Sequence, residues 1–208
     1  MTIEYTEWYI FGMDKSEKTK EYIIEKASPI FNKQGYQGTS LSDLTDATKL
    51  TKGSIYGNFE NKDDIAIKCF LFNVDKITSE IKRNMAGIKD PIEKLLVFPG
   101  VYRRIYKSVL ENGGCPIANT MIEADDTHSF LNNLAMNVIH GLECNIISII
   151  EEGKASEKIT KTVEPQKTAQ IIIALFEGGI ILARGTGKEG FILNAIEEVE
   201  RIIVSMKR

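Results

Sequence analysis

The sequence predicts an all-α protein of about nine helices arranged in two parts. Apolar residues recur at helical spacing along nearly the whole chain, and no stretch alternates apolar and polar residues as a half-buried strand does. Capping residues and glycines stand where the periodic segments begin and end. The chain has 208 residues, of which 43% are apolar, so it is long enough to bury a substantial core.

Two short helices are predicted close together near the N-terminus, over residues 41–48 and 52–58. Ser40 is a suitable N-cap for the first, and Asp43 follows three residues later, as in a capping box. Thr51 is a suitable N-cap for the second. A turn of three residues separates the two helices, which is the arrangement of a helix-turn-helix. An earlier helix is predicted from about Ser16 to Gln34, and Gly35 ends it.

The second short helix carries polar groups suited to DNA. Thr51, Lys52, Ser54, Tyr56 and Asn58 supply hydroxyls, one cation and an amide. These groups form hydrogen bonds with phosphate oxygens and base edges. Gly53 has no side chain and would allow the helix backbone to approach a groove closely.

These residues carry a specific family resemblance. The run Thr39-Ser40-Leu41-Ser42-Asp43-Leu44, followed by residues 51–59 and Asn61-Lys62-Asp63, resembles the N-terminal domain of TetR-family regulators. The resemblance implies a three-helix DNA-binding domain followed by a helical ligand-binding and dimerisation domain. Residue chemistry and resemblance together give the candidate DNA contacts: Thr39, Ser40, Thr51, Lys52, Gly53, Ser54, Tyr56, Asn58 and Lys62.

Two positions depart from the family pattern. Lys49 stands in the turn where the family usually has glycine, and a non-glycine residue in the left-handed conformation costs about 1–2 kcal/mol. A slightly reshaped turn is therefore expected. Gly57-Asn58 replace the usual Tyr-His pair, which leaves the operator sequence open.

The resemblance and the helix pattern predict three segments. Residues 1–15 form an N-terminal extension, residues 16–76 the DNA-binding domain with its motif at 40–59, and residues 77–208 the effector-binding and dimerisation domain. Met1 and Met13 both remain candidates for the native start. The longer helices are expected over residues 61–85, 91–111 with a break near Pro99-Gly100, 116–124, 128–153, 165–184 and 188–207.

The last two helices are the predicted dimer interface. The segment from Ile171 to Ala183 is apolar on nearly every side, and Gly178-Gly179 would permit close helix approach. A four-helix bundle with two helices from each chain would bury this surface and the apolar stripe of the last helix. An ordinary core within one chain is the alternative. Glu177 is expected to be paired across the interface or to lie near a pocket.

Large, adaptable side chains in the middle helices indicate a pocket for a small apolar effector. The candidates are Phe98, Tyr102, Tyr106, Met121, Phe130, Met136 and Phe176. Ordinary core packing is the alternative for each of them. Binding of the effector would change the spacing of two DNA-binding domains in a dimer.

Composition excludes several other classes of function. The net charge is −3, and eight lysines balance eight acidic residues between Asp14 and Asp63, so DNA binding requires a local surface. No cofactor site, metal-ligand spacing or nucleophile–base pair is found, which argues against an enzyme. Three widely spaced cysteines fit a reducing cytoplasm, and the longest nearly apolar run, 13 residues, is shorter than a membrane helix requires.

The sequence therefore predicts a cytoplasmic, homodimeric DNA-binding regulator, most simply a repressor that a small apolar effector releases from operator DNA. The alternative is an α-helical small-molecule-binding protein or enzyme in which the N-terminal helices are only scaffold.

Overall fold

The computed structural model describes residues 15–125 and 128–208, and these residues form nine α-helices with no β-strand. The helices are α1 (Lys15–Gly38), α2 (Leu41–Thr48), α3 (Lys52–Tyr56), α4 (Lys62–Met85), α5 (Pro91–Glu111), α6 (Pro116–Ala124), α7 (Ser129–Ala155), α8 (Pro165–Thr186) and α9 (Gly190–Ser205). The predicted all-α fold is confirmed. The predicted N-terminal extension and the choice between Met1 and Met13 lie outside the described residues.

The chain divides into two compact units, and the division falls between Asn73 and Val74, inside α4. The functional boundary predicted at residues 76 and 77 stays a prediction. In the N-terminal unit, α1 contains non-helical backbone at Gly35, with φ 76° and ψ 179°, where the sequence predicted its end. The core of this unit consists of Ile23, Ala27, Phe31, Leu44, Ile55, Phe59, Ile65, Ala66 and Cys69.

A predicted break in one helix and a predicted stop in another are wrong. The break predicted near Pro99 is absent, and α5 runs from Pro91 to Glu111. Proline removes one backbone hydrogen bond, but Leu95, Phe98 and Val101 on either side of it are buried, and this packing offsets the loss. Gly153 does not end α7, which continues to Ala155. Gly153 is instead buried, where a Cβ would lie 2.4 Å from the Cδ1 atom of Ile159.

The apolar stripe of α9 is buried within its own subunit. Its residues Ile192, Ala195, Ile196, Val199 and Ile203 are at most 7% exposed, and α9 packs against α8 and α5. The sequence predicted burial of this stripe against a partner chain, with an ordinary core within one chain as the alternative. An apolar stripe on a helix indicates that the stripe is buried but does not identify the surface that buries it. Here that surface belongs to the same chain.

Gly178 and Gly179 differ in what surrounds them, and this yields a matched pair of variants. A Cβ on Gly179 would lie 2.9 Å from the Cβ of Ala195 and 3.1 Å from the Cα of Ile192, whereas a Cβ on Gly178 would meet no atom within 4 Å. Gly179→Ala is therefore expected to force α8 and α9 apart, at a cost of about 1–3 kcal/mol.

Gly178→Ala is the control, because it gains about 0.5–1 kcal/mol of helix propensity without a clash inside the subunit. Urea unfolding at one fixed protein concentration measures both variants. Equal midpoints for the two alanine variants would contradict the close α8–α9 packing.

Candidate nucleic-acid interface and ligand cavity

Helix α2 begins as the sequence predicted, but the turn that follows it differs from the prediction. Ser40 and Asp43 form a complete capping box, in which the Ser40 amide donates to Asp43 Oδ2 at 2.7 Å and the Asp43 amide donates to Ser40 Oγ at 3.2 Å. Lys49 adopts the left-handed conformation with φ 57° and ψ 21°. The expected reshaping of the turn is therefore not seen, and Lys49 takes the backbone conformation that favours glycine.

Helix α3 presents one buried and one exposed face. Ile55 is fully buried in the core of the N-terminal unit. Thr51, Lys52 and Gly53 are exposed, and Tyr56 is 37% exposed. The Thr51 side chain accepts a hydrogen bond from the Ser54 amide at 3.2 Å, which fixes the first turn. The exposed face of α3 therefore carries hydroxyls, a cation and, at Gly53, backbone without a side chain. These groups can contact the groove of a DNA duplex.

Two of the predicted DNA contacts have other partners inside the domain. Thr39 is fully buried, and its hydroxyl donates to the Gly35 carbonyl at 2.6 Å. The Asn58 amide donates to the Ser54 carbonyl at 2.8 Å, and its oxygen accepts from Ser16 Oγ at 3.2 Å. These bonds give both side chains a role in shaping the motif, so neither is retained as a side-chain contact to DNA.

Lys62 lies at the first position of α4 and is half-buried. Its ammonium stands 4.4 Å from the centroid of the Tyr36 ring, a cation–π contact. The Tyr36 hydroxyl donates to Asp63, and burial followed by this bond raises the pKa of Tyr36 to about 12. Tyr36 is therefore a neutral donor at physiological pH, and the ring holds Lys62 in place.

The C-terminal unit contains a cavity of about 270 Å³. Its walls come from α4, α5, α6 and α7 together with Cys115, and they consist of Val74, Ile77, Thr78, Ile81, Lys82, Met85, Phe98, Tyr102, Cys115, Pro116, Ile117, Val138, Gly141, Leu142 and Asn145. A second chamber of about 20 Å³ shares Ile81, Phe98, Tyr102 and Leu142 with it. Ile146, Ile172, Ile173, Phe176 and Glu177 complete that smaller chamber.

Glu177 is a buried carboxyl group beside this cavity. Its Oε1 accepts a hydrogen bond from Cys115 Sγ at 3.1 Å, and its buried Oε2 has no partner among the described residues. Burial raises the pKa of Glu177, and it raises the pKa values of the Cys115 thiol and the Tyr102 hydroxyl well above their usual range. The sequence predicted that Glu177 would be paired across the interface or lie near a pocket. The structure places it near a pocket.

Comparison with known families covers both units. Residues 23–69 match the family model for bacterial regulatory proteins of the tetR family, and residues 91–198 match the tetracyclin repressor-like C-terminal domain. The second match alone spans more than half of the chain. The chain belongs to the TetR family of bacterial transcriptional regulators.

Similar TetR-family proteins have solved structures. One from Cytophaga hutchinsonii is 39% identical with a TM-score of 0.85, and covers 94% of this chain and 98% of its own. One from Chloroflexus aurantiacus is 32% identical with a TM-score of 0.84, and covers 94% of this chain and 99% of its own.

A protein that is similar in sequence is also a transcriptional regulator. The helix-turn-helix transcriptional regulator YxaF of Bacillus subtilis is 26% identical over 91% of this chain and 96% of its own. Because these relatives are regulators, this TetR-family chain is a transcriptional regulator and not an enzyme.

The predicted pocket residues of this TetR-family chain are distributed unevenly. Phe98 and Tyr102 line the large cavity, and Phe176 stacks on Tyr102 with ring centroids 4.4 Å apart in the wall of the small one. Four predicted residues lie outside both linings: Tyr106, whose hydroxyl donates to Glu189 at 3.0 Å, half-buried Met121, and Phe130 and Met136, which are 63% and 50% exposed. The size and flexibility of a side chain do not indicate whether it points into a cavity or towards solvent.

Sequence reasoning missed the wall that α4 contributes. Val74, Ile77, Ile81 and Met85 recur at helical spacing and line the cavity. The periodicity was a usable signal, but it indicates burial in general and does not separate a cavity wall from a packed core.

The left-handed Lys49 yields a stability prediction for this TetR-family domain. Lys49→Gly is expected to stabilise the protein by about 0.5–1 kcal/mol, since it relieves about 1–2 kcal/mol of backbone strain and costs part of that in chain entropy. Lys49→Ala removes the same cation and keeps the strain, so it is the control. Urea unfolding measures both, and an alanine variant as stable as the glycine variant would contradict the strain.

Proposed function

We propose that this protein is a homodimeric repressor that binds a pseudo-palindromic operator through α3 of each subunit and leaves it when a small apolar effector binds. The observation that carries the proposal is the exposed, capped face of α3 formed by Thr51, Lys52, Gly53 and Tyr56. Ser40, half-buried Ser54 and Lys62 complete the proposed contacts. The similar repressor DhaR of Mycobacterium sp. strain GP1 supports a repressing role; it is 22% identical over 78% of this chain and 80% of its own.

A dimer is proposed because one five-residue recognition helix buries too little surface for specific binding. Helix α8 carries a second stripe opposite its buried face. Ile171, Ala174, Ile181 and Leu182 are exposed along it at helical spacing, and Gly178 is open there. Exposed Phe191 and Val204 on α9 extend the apolar surface. Pairing of the last two helices across a two-fold axis would bury these residues.

The effector proposal rests on the 270 Å³ cavity, which is close to the small end of ligand pockets, about 300–1,000 Å³. Helix α4 contributes to both units: Ile65, Ala66 and Cys69 lie in the N-terminal core, and its residues from Val74 onward line the cavity. A ligand that favours a different position of α4 would therefore change the spacing of the two recognition helices.

We assign the protein to the cytoplasm, as its DNA-binding role requires. In the described part of the chain, α7 and α8 are long and apolar enough to span a bilayer by length and composition alone. Both helices pack against each other and contribute buried residues to the C-terminal unit. The proposed dimer interface explains the remaining apolar face of α8 without a membrane.

The alternative, a small-molecule-binding protein or enzyme with scaffold helices at its N-terminus, has less support. A scaffold does not require Lys52 and Tyr56 to be exposed beside a bare Gly53. The similar TetR-family regulators, which cover 94% of this chain, also favour the DNA-binding role.

A gel-shift titration with the DNA upstream of the protein's own gene tests the proposal. We expect a discrete complex that survives an excess of unrelated duplex. Its affinity should fall steeply as salt rises, because each phosphate contact releases counterions from the DNA and added salt opposes that release. A promoter fragment from an unrelated gene is the control. Equal binding to both fragments, or no binding at low salt, would reject a sequence-specific regulator.

A further inference from the structure

The small chamber beside the main cavity combines a carboxyl group with an aromatic pair. Glu177 Oε2 is buried without a partner among the described residues, while Oε1 is held by the Cys115 thiol. Tyr102 and Phe176 are stacked with centroids 4.4 Å apart and line the same chamber. A buried acceptor without a partner is unfavourable, so this chamber favours a group that brings a donor.

The two chambers suit the two ends of one molecule. The large chamber, about 270 Å³, is mostly apolar and can hold a hydrocarbon body. The small chamber, about 20 Å³, has room for one group of about the size of a water molecule. Four residues line both chambers, so the two chambers lie side by side.

We infer that the effector is a hydrophobic amine whose nitrogen occupies the small chamber and binds Glu177 Oε2, with its apolar body in the large cavity. This inference rests on the effector-release function proposed above and names the chemical class of the effector.

An amine fits better than other polar groups for two reasons. An ammonium donates to an ionised Glu177, and a neutral amine accepts from a protonated one, so an amine satisfies either form that burial allows. The neighbouring rings add a cation–π contribution, which a carbonyl or a hydroxyl group does not gain. An anionic ligand would instead place its charge beside Glu177, or remain near Lys82, the lysine in the wall of the large cavity.

Direct binding to the full chain tests the inference with three probes on one ring system: 1-(aminomethyl)naphthalene, 1-methylnaphthalene and 1-naphthoate. Calorimetry should show the amine binding wild-type protein at least tenfold more tightly than the other two. Glu177→Gln keeps the shape of the side chain and removes its charge, and it should weaken amine binding about tenfold to a hundredfold while leaving methylnaphthalene unchanged.

Two further variants keep the result interpretable if Glu177→Gln is poorly folded. Cys115→Ala removes the donor that holds Oε1, so both oxygens of Glu177 can accept from the ammonium, and amine binding should strengthen relative to methylnaphthalene binding. Glu164→Gln neutralises an exposed carboxylate at the start of the same helix and should change nothing.

Preference for naphthoate or methylnaphthalene, amine binding unaffected by Glu177→Gln, or no binding of any probe would overturn the inference. Because calorimetry uses no DNA, such a failure is distinct from a failure of the gel shift.

Discussion

Replacing Lys52 and Tyr56 together by alanine is expected to abolish specific operator binding while leaving the fold intact. Lys52 is exposed and Tyr56 is 37% exposed on α3, so removing both side chains should cost no more than about 1–2 kcal/mol of stability and leave the domain folded. Each contact to a phosphate or a base is worth about 1–3 kcal/mol. Two contacts in each of two subunits therefore predict an affinity loss of at least a thousandfold in a gel shift.

The matched control is Lys161→Ala, which removes an exposed cation from the C-terminal unit. It should retain nearly full operator affinity. Circular dichroism and thermal unfolding confirm that the double variant is folded. If the folded double variant still shifts the operator at wild-type concentrations, α3 is not the recognition helix.

Leu182→Asp is expected to convert the dimer into a monomer and to remove operator binding with it. Leu182 is 47% exposed on the apolar stripe of α8, so within one subunit the new carboxylate remains solvated. In the proposed dimer the carboxylate would be buried against an apolar partner surface, at a cost of several kcal/mol. Light scattering coupled to size exclusion measures the mass, and the gel shift measures the consequence for DNA.

Ile122→Asp makes the same chemical change on α6, where Ile122 is 72% exposed and outside the proposed interface. This variant should remain dimeric and bind operator normally. A dimeric Leu182→Asp protein, or dissociation of both variants, would place the interface elsewhere.

The DNA-binding motif was predictable because its signals are local. Ser40, Asp43 and Thr51 satisfy backbone groups within a few residues of themselves, so the sequence determines where α2 and α3 begin. The errors in predicting the side-chain contacts of this motif were local as well. The inward partners of Thr39 and Asn58 depend on neighbouring backbone that residue type alone does not specify.

The C-terminal unit was less predictable because tertiary packing determines it. Proline is a strong local signal to end a helix, yet the buried residues around Pro99 maintain α5. The apolar stripes of α8 and α9 indicated burial, but only the packing shows that α9 uses its stripe within the subunit. The cavity depends on side chains from four separate segments of the chain, so aromatic size identified Phe98 and Tyr102 and misplaced Phe130.

Methylation interference on the bound operator tests the recognition role of α3 most directly, because dimethyl sulfate modifies guanine N7 in the major groove. We predict interference in two half-sites on one face of the duplex, centred about 10–10.5 base pairs or a multiple apart. Lys52→Ala should weaken binding without moving either half-site. Binding that tolerates major-groove methylation throughout, or that shows a single unpaired patch, would contradict paired recognition helices.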